Sequence, residues 1–324
     1  MEALLKVSGS FWHSCTLHAA VELEIFTIIG DGQLRAEEVA GRLAADVRGV
    51  TMLLNAATAM GLLVRNGSRY GNSSASKSLL AKDSPDYIGY IIQHHHHLVN
   101  GWSQLPEAVR TGKPVRSRFS QSSEKERESF LMGMYNLAMG IAPKVAAQID
   151  LIGKRHLLDL GGGPGTYAAH FCQTNPQLRA TIYDLPSSRP FALETVERFA
   201  VTERIAFVAG DYLHDELPGS YDVAWLSHIL HGEGPEDCEK IIDKSVSALE
   251  AGGLILVHDF ILNDTMDGPL FPALFALNML VNTPRGQAYS EAQIREMLRN
   301  AGVREITRLP FQGPNDSGIL QGVV

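Results

Sequence analysis

Four glycines in five positions, Gly161-Gly162-Gly163-Pro164-Gly165, follow the apolar run Leu157-Leu158-Asp159-Leu160. A buried strand that breaks into glycines and then a helix lets the backbone turn tightly and approach a ligand at the helix N-terminus. Such a loop binds nucleotides, and the surrounding acids say which kind. Asp159 stands just before the glycines, where a carboxylate repels a pyrophosphate but attracts an ammonium or sulfonium group. Asp184 closes the next extended run in Tyr183-Asp184-Leu185-Pro186, about where an acid takes ribose hydroxyls. Asp211, in Gly210-Asp211-Tyr212 after the third run, is placed to accept from an exocyclic amine while Tyr212 covers a base face. Gly163, Gly165 and Ala168 satisfy the spacing G-x-G-x-x-G/A, so NAD stays a competitor. Three strand-end carboxylates without a basic phosphate clamp describe a cationic adenosine derivative better, and S-adenosylmethionine fits that description.

These acids need a rigid frame, and the pattern from residue 156 onward supplies one. Short β-rich runs, His156 to Leu160, Arg179 to Asp184, Arg204 to Ala209, Tyr221 to Ser227 and Leu254 to Phe260, alternate with helical stretches at about 165–174, 187–200 and 235–249. That alternation predicts a parallel sheet with helices on both faces. A last helix is expected at about 290–301, then Val303 to Pro310 and Ile319 to Val324 as an antiparallel hairpin at the sheet edge. Before residue 150 the pattern is mainly helical. Helices at about 35–45 and 47–61 precede a hairpin over Leu63 to Asn72 with Asn66 and Gly67 at its turn, which is a winged-helix order. Longer helices are expected at about 85–112 and 124–149, joined by a Pro-, Arg- and Ser-rich linker at 114–123. The expected fold class is α/β, with a Rossmann-like catalytic domain over 151–324 behind a helical winged-helix domain over 1–150.

At 324 residues, 45% apolar and 20% charged, the chain has the composition of a two-domain globular protein and excludes disorder and collagen-like repeats. Cys15, Cys172 and Cys238 are too few and too scattered for a disulfide framework or a closed zinc site. No basic leader precedes an apolar core, and no apolar run approaches the roughly 18 residues of a membrane span, so a cytoplasmic protein is expected. Residues 1–150 hold 15 Lys+Arg against 14 Asp+Glu, and residues 151–324 hold 13 against 22, within a net charge of −8. An acidic second half argues against a polyanionic partner and for a small or cationic ligand. The stretch Arg48 to Leu62 carries one basic residue and the apolar series Val50, Met52, Leu53, Leu54, Ala56, Ala57 and Met60, which suits another protein rather than a DNA groove. Neither nucleic acid nor membrane is expected as a partner.

From end to end the chain resembles the class I S-adenosylmethionine-dependent O-methyltransferases of the hydroxyindole and caffeate type. Residues 11–80 resemble that family's dimerisation region, Trp102 to Gly112 its "W..L..a..tG" stretch and Leu157 to Gly165 its glycine motif. Ile229-Leu230-His231 with Glu236-Asp237-Cys238 resembles its "iLHdWsDe.c". The resemblance implies a homodimer formed through the N-terminal domain. It also implies metal-independent transfer of a methyl group to the hydroxyl of a small aromatic or heteroaromatic substrate, such as a phenol, hydroxyindole or hydroxybenzimidazole, leaving S-adenosylhomocysteine. The cofactor contacts it implies are Gly161, Gly163, Asp184, Asp211 and Tyr212, to which Asp159 and Ser227 are added. The implied base is His231, oriented by Asp259. The implied substrate lining is Met134, Phe271, Phe275, Asn278, Met279 and Asn282, to which Trp102 and His258 are added as further substrate contacts.

A histidine suits that chemistry. A phenol with pKa near 10 is mostly un-ionised at neutral pH, and an imidazole with an ordinary pKa near 6.5 can take its proton while a carboxylate fixes the tautomer. The departures are Ser227 where plant members have Lys, Gly232-Glu233 in place of an Asp-Trp pair, and Ala288 where a second acid is expected. They keep open C- or N-methylation or another reaction of the same fold, beside a small-molecule-sensing winged-helix regulator and an NAD-linked oxidoreductase. The run His94-His95-His96-His97 suggests a metal. Consecutive helical residues point about 100° apart, however, so only His94 and His97 share a face, and two ligands do not close a zinc site. No metal is expected, and the quartet is read as a solvated or interdomain cluster.

Overall fold

The structure, a computed structural model, describes residues 1–116 and 123–324; most of the expected linker, 117–122, lies outside the described residues. The chain forms two compact units, residues 1–99 with 123–136, and the described residues of 100–122 with 137–324. Residues 100–116 and 137–150, which the sequence reading assigned to the N-terminal half, therefore group with the sheet. The reason is packing: Val145, Ala146 and Ile149 are buried in one core cluster with Leu157, Ala168 and Phe171.

In the first unit, β1 (Gln33–Arg35), β2 (Leu63–Asn66) and β3 (Arg69–Asn72) form an antiparallel sheet in the order β1-β3-β2. The helices Ala36–Leu43 and Val47–Ala59 start where local caps dictate: the Arg35 N–H donates to the Glu38 carboxylate, and Asp46 accepts from the Gly49 N–H at 2.8 Å. Ile25, Phe26, Leu54, Leu63 and Tyr70 bury themselves between helices and hairpin, giving the expected winged-helix arrangement. β1 escaped the sequence reading because three residues show no period. The two long helices expected before residue 150 are four: Gly89–Trp102, Leu105–Thr111, Glu124–Met139 and Ala142–Gln148. Pro106 and Pro143 occupy the second position of the later helix in each pair, where a missing N–H and a clash with the preceding turn end the earlier one.

In the second unit, β4 (His156–Leu160), β5 (Arg179–Asp184), β6 (Ile205–Ala209), β7 (Tyr221–Ser227) and β8 (Leu249–Leu262) are parallel in the order β6-β5-β4-β7-β8. A two-residue strand, β9 (Tyr289–Ser290), adds to β8. Then β10 (Arg304–Arg308) and β11 (Ser317–Val323) pair antiparallel, with β11 inserted beside β8 and β10 at the edge. Side chains alternate between two cores. Leu158, Leu160, Leu226, Ile255 and Val257 pack under the helices Pro235–Ser247 and Glu291–Asn300. Leu157, Val223, Trp225 and Leu256 pack under Thr166–Thr174 and Arg189–Arg198. The strand order reverses between β4 and β7, which opens a crevice at the carboxyl ends where ligands bind in such sheets. No helix among the described residues is long and apolar enough to cross a membrane.

Candidate active site

The glycine loop leaves β4 at that crevice. Gly161 adopts φ +64°, and a Cβ there would stand 2.6 Å from Ile229 Cγ2 and 3.5 Å from the Tyr212 ring. Gly165, at φ +72°, opens the helix Thr166–Thr174 in a conformation that side-chain-bearing residues rarely adopt, and a Cβ there would collide with Ile182. Beneath the loop, Asp159 is buried and its carboxylate takes one donor, the Ala168 N–H at 3.3 Å. Burial pushes Asp159 up to about 7, against the pull of that hydrogen bond. The adjacent Thr166 hydroxyl is buried without a partner. A buried carboxyl with a single donor, an orphaned hydroxyl and a cradle that a side chain would fill together fit an amino-acid moiety bearing a positive charge. They do not fit a pyrophosphate, which calls for cationic or N–H donors where this loop has the Asp159 carboxyl beneath it.

Asp184, at the end of β5, accepts from Gly163 N–H at 2.7 Å, Leu185 N–H at 2.6 Å and the Ser188 hydroxyl at 2.9 Å. Burial raises its pKa and these bonds hold it back. Asp211, after β6, is half-exposed; its carboxylate takes the Leu213 N–H and His214 Nδ1, both at 2.9 Å. Burial raises Asp211, but those bonds outweigh it and leave the group below the usual carboxylate range. Tyr212 flanks Gly161, its hydroxyl 3.5 Å from Glu233 Oε1, and is raised above the ordinary phenol value by burial and that neighbour.

The base candidate sits in a short helical turn, Leu230–Gly232, between β7 and the helix Pro235–Ser247. His231 Nδ1 lies 2.6 Å from Asp259 Oδ1, and the His231 N–H reaches Oδ2 at 3.3 Å. Asp259 is buried on β8. Burial alone would raise it, yet the His231 charge, the hydrogen bond from His231 and the nearby His228 ring hold it well below the usual carboxylate range. Phe275 meets the His231 ring edge-on at 4.7 Å, and Phe260, Phe271 and Phe275 form a mutual aromatic cluster beside it. His228, His231 and Asp259 are the one group among the described residues whose ligand atoms lie close enough to suggest a metal, within 4.8 Å of one another. A separation of 2.6 Å between His231 and Asp259 is that of a proton-bridged pair, shorter than two atoms bound to one ion at about 2 Å in a tetrahedral site would show.

Other expected contacts fall differently. His258 is fully buried, with Nδ1 3.0 Å from the Ser227 hydroxyl and Nε2 3.2 Å from the Ser317 hydroxyl. Both ring nitrogens are taken, and burial with the neighbouring His228 drives its pKa well below the ordinary value. The expected substrate contact is instead a neutral brace between β7 and β11. Adjacent strand residues point to opposite faces, so the neighbour of Asp259 had to turn away from it. Ser227, placed with the cofactor, spends its hydroxyl on His258 and on Tyr167. Trp102 Nε1 donates to Asn278 Oδ1 at 3.0 Å, and Asn282 Nδ2 reaches the same oxygen at 3.0 Å. Met279, on the same helix, Leu270–Asn282, is buried. Met134 lies in the first unit, packed against its core. In that unit His97 Nδ1 meets the Ser129 hydroxyl at 3.0 Å, His96 stacks edge-on against His18 and His94 against Phe130. Sequence reasoning missed His228, Thr166, Tyr167 and Phe260. The spacing His228-x-x-His231 was the one available signal, because a tight turn brings residues three apart together.

The profile of the O-methyltransferase domain matches residues 102–304, and that of the O-methyltransferase dimerisation domain matches residues 5–82. The 3-hydroxy-5-methyl-1-naphthoate 3-O-methyltransferase of Streptomyces sahachiroi is 34% identical over 328 residues, covering 99% of this chain and 94% of its own. The solved structure of PigF with SAH superposes with a TM-score of 0.92 at 27% identity, covering 100% of this chain and 99% of that one. Human N-acetylserotonin methyltransferase in complex with SAM superposes with a TM-score of 0.86 at 26% identity, covering 99% and 96%.

Proposed function

Because the chain belongs to the O-methyltransferase family and uses S-adenosylmethionine, we propose that it methylates a hydroxyl on a small aromatic or heteroaromatic ring, with His231 as general base and Asp259 as its orienting acid. The observation that carries this reading is the 2.6 Å pair of His231 Nδ1 and Asp259 Oδ1 set against Phe260, Phe271 and Phe275. Asp259, ionised and acceptor-only, takes the Nδ1 proton of His231 and leaves Nε2 with the lone pair. That nitrogen accepts the hydroxyl proton as the oxygen becomes nucleophilic, and Asp259 stabilises the resulting imidazolium. When bound, S-adenosylmethionine supplies an electrophilic methyl on a sulfonium. Asp159, Asp184, Asp211 and Tyr212 hold the cofactor on the glycine loop, with carboxylates facing its positive charge and ribose. The phenylalanines give a flat acceptor its walls and keep water away, while Asn278, Asn282 and Trp102 offer polar anchors. The naphthoate and N-acetylserotonin relatives act, by their names, on fused bicyclic aromatics, which favours a fused ring here.

The enzyme works in the cytoplasm as a homodimer through its N-terminal unit; exposed Leu4, Leu5, Phe11 and Trp12 on the first two helices support a partner surface there. The test is His231→Gln. Turnover on a panel of hydroxyarenes, read by mass spectrometry as products one methyl heavier, should fall by about 10²- to 10⁴-fold while S-adenosylhomocysteine binding is kept. Wild-type turnover would remove His231 from the mechanism.

A further inference from the structure

Asp259 faces two imidazoles. Its Oδ1 lies 2.6 Å from His231 Nδ1 and 3.5 Å from His228 Nδ1, and also accepts the Phe260 N–H at 2.8 Å. His228 is held with care for a residue at the end of a strand. Its backbone is left-handed at φ +57°, uncommon for any residue but glycine, and its N–H donates to the His258 carbonyl at 2.7 Å. Its ring sits 4.4 Å from both Phe260 and His258 and 5.9 Å from His231, centroid to centroid. Nδ1 is buried and makes no hydrogen bond, so the carboxylate 3.5 Å away is the acceptor within its reach.

Resting on the reading of His231 as base, we infer that His228 is a positioning residue for the reaction: as a second Nδ1–H donor it shares Asp259 Oδ1 with His231 and limits how firmly that carboxylate can hold a proton on His231. A carboxylate oxygen already satisfied by other donors gains less from an imidazolium. Three other titratable groups near the pair stay neutral. His258 is buried and uncharged, burial pushes the Cys238 thiol up to about 12, and the Tyr289 phenol rises further. Glu233 directs its carboxylate at the Tyr212 hydroxyl. Phe260, Phe271 and Phe275 carry no charge. Asp259 therefore divides its single charge between His228 and His231.

The experiment is NMR of the full chain with ring-labelled histidine in the presence of S-adenosylhomocysteine, the His231 signal being the one absent in His231→Gln. In the unaltered protein His228 should appear as the Nδ1–H tautomer at neutral pH. His228→Gly removes the donor and accepts the left-handed backbone; the His231 midpoint should rise by about half a unit or more, roughly threefold in proton affinity. His228→Asn keeps a donor at the same position and a residue tolerant of that backbone, so its midpoint should stay within about 0.2 unit of wild type. A bare Nδ1 on His228, a glycine variant within about 0.2 unit of wild type, or equal shifts in both variants would overturn the inference. The tautomer is read on unaltered protein, so it decides the matter even if the glycine variant does not fold. Failure of the base reading shows elsewhere, as wild-type turnover in His231→Gln, and takes the inference with it.

Discussion

The backbone N–H of Gly163 donates to the Asp184 carboxylate at 2.7 Å, which pins the glycine loop after β4 to the end of β5 through an acid expected to hold the cofactor. The other oxygen of that carboxylate takes the Leu185 N–H and the Ser188 hydroxyl. The shape of the loop thus runs through the side chain proposed to hold the ribose. Asp184→Asn replaces an acceptor by an amide donor facing an N–H. S-adenosylhomocysteine should bind about 10- to 100-fold more weakly, or about 1.4–2.8 kcal/mol, by isothermal titration calorimetry. An unchanged Kd would take Asp184 out of the cofactor site.

If Asp159 faces the cofactor as proposed, cofactor binding should depend on pH. Its carboxyl is raised to about 7 in the folded protein by burial, whereas an unfolded aspartate titrates near 3.9. From about pH 4 to 7 the unfolded state therefore binds fewer protons than the folded one, and the group's contribution to stability falls as pH rises, levelling above 7. A cationic ligand favours the carboxylate, so binding below pH 7 should release a proton, seen as a calorimetric heat that depends on the buffer's ionisation enthalpy. Asp159→Asn should abolish that release, weaken binding, and stabilise the ligand-free protein at pH 8 by on the order of 2–4 kcal/mol while leaving it near wild type at pH 4.

Gly161 has no room for a side chain. In Gly161→Ala the new methyl meets Ile229 Cγ2 and holds alanine at φ +64°, so thermal unfolding should show a loss of about 1–3 kcal/mol and cofactor binding should fail. Ile229→Ala in the same chain should recover part of the stability. No recovery would place the damage in the backbone conformation alone.

Asp259→Asn separates orientation from charge. The amide cannot hold the imidazolium, and turnover should fall by about 10²- to 10⁴-fold with the cofactor Kd unchanged. The folded carboxyl is depressed below its ordinary value, so it adds stability above about pH 4 and loses that contribution as pH falls through the folded value. The variant should therefore be destabilised more at pH 7 than at pH 3 in denaturant titrations.

The sheet could be read from sequence because strands buried on both faces show as largely apolar runs that end at an acid or a glycine, as Leu157 to Leu160 before Gly161 and Ala180 to Tyr183 before Asp184 do. The same closures marked Asp159 and Asp184. His258 was misjudged because closeness in sequence to Asp259 was taken for closeness in space, although the two-residue period of a strand sends neighbours to opposite faces. His228 was hidden for another reason. Its backbone is left-handed, and no residue pattern announces that for a histidine. The helix breaks before Pro106 and Pro143 were visible in principle, but apolar spacing continues across both and masked them.

β11 comes last in chain order yet lies inside the sheet, between β8 and β10. During translation, the edge of β8 from Leu254 to Phe260 stands bare until Ser317 to Val323 leave the ribosome, and until then His258 lacks the serine that braces it. A nascent chain stopped near residue 310 presents an apolar open edge of the kind that recruits chaperones or other unfinished copies. Adding β11 and covering that edge of β8 are the same event.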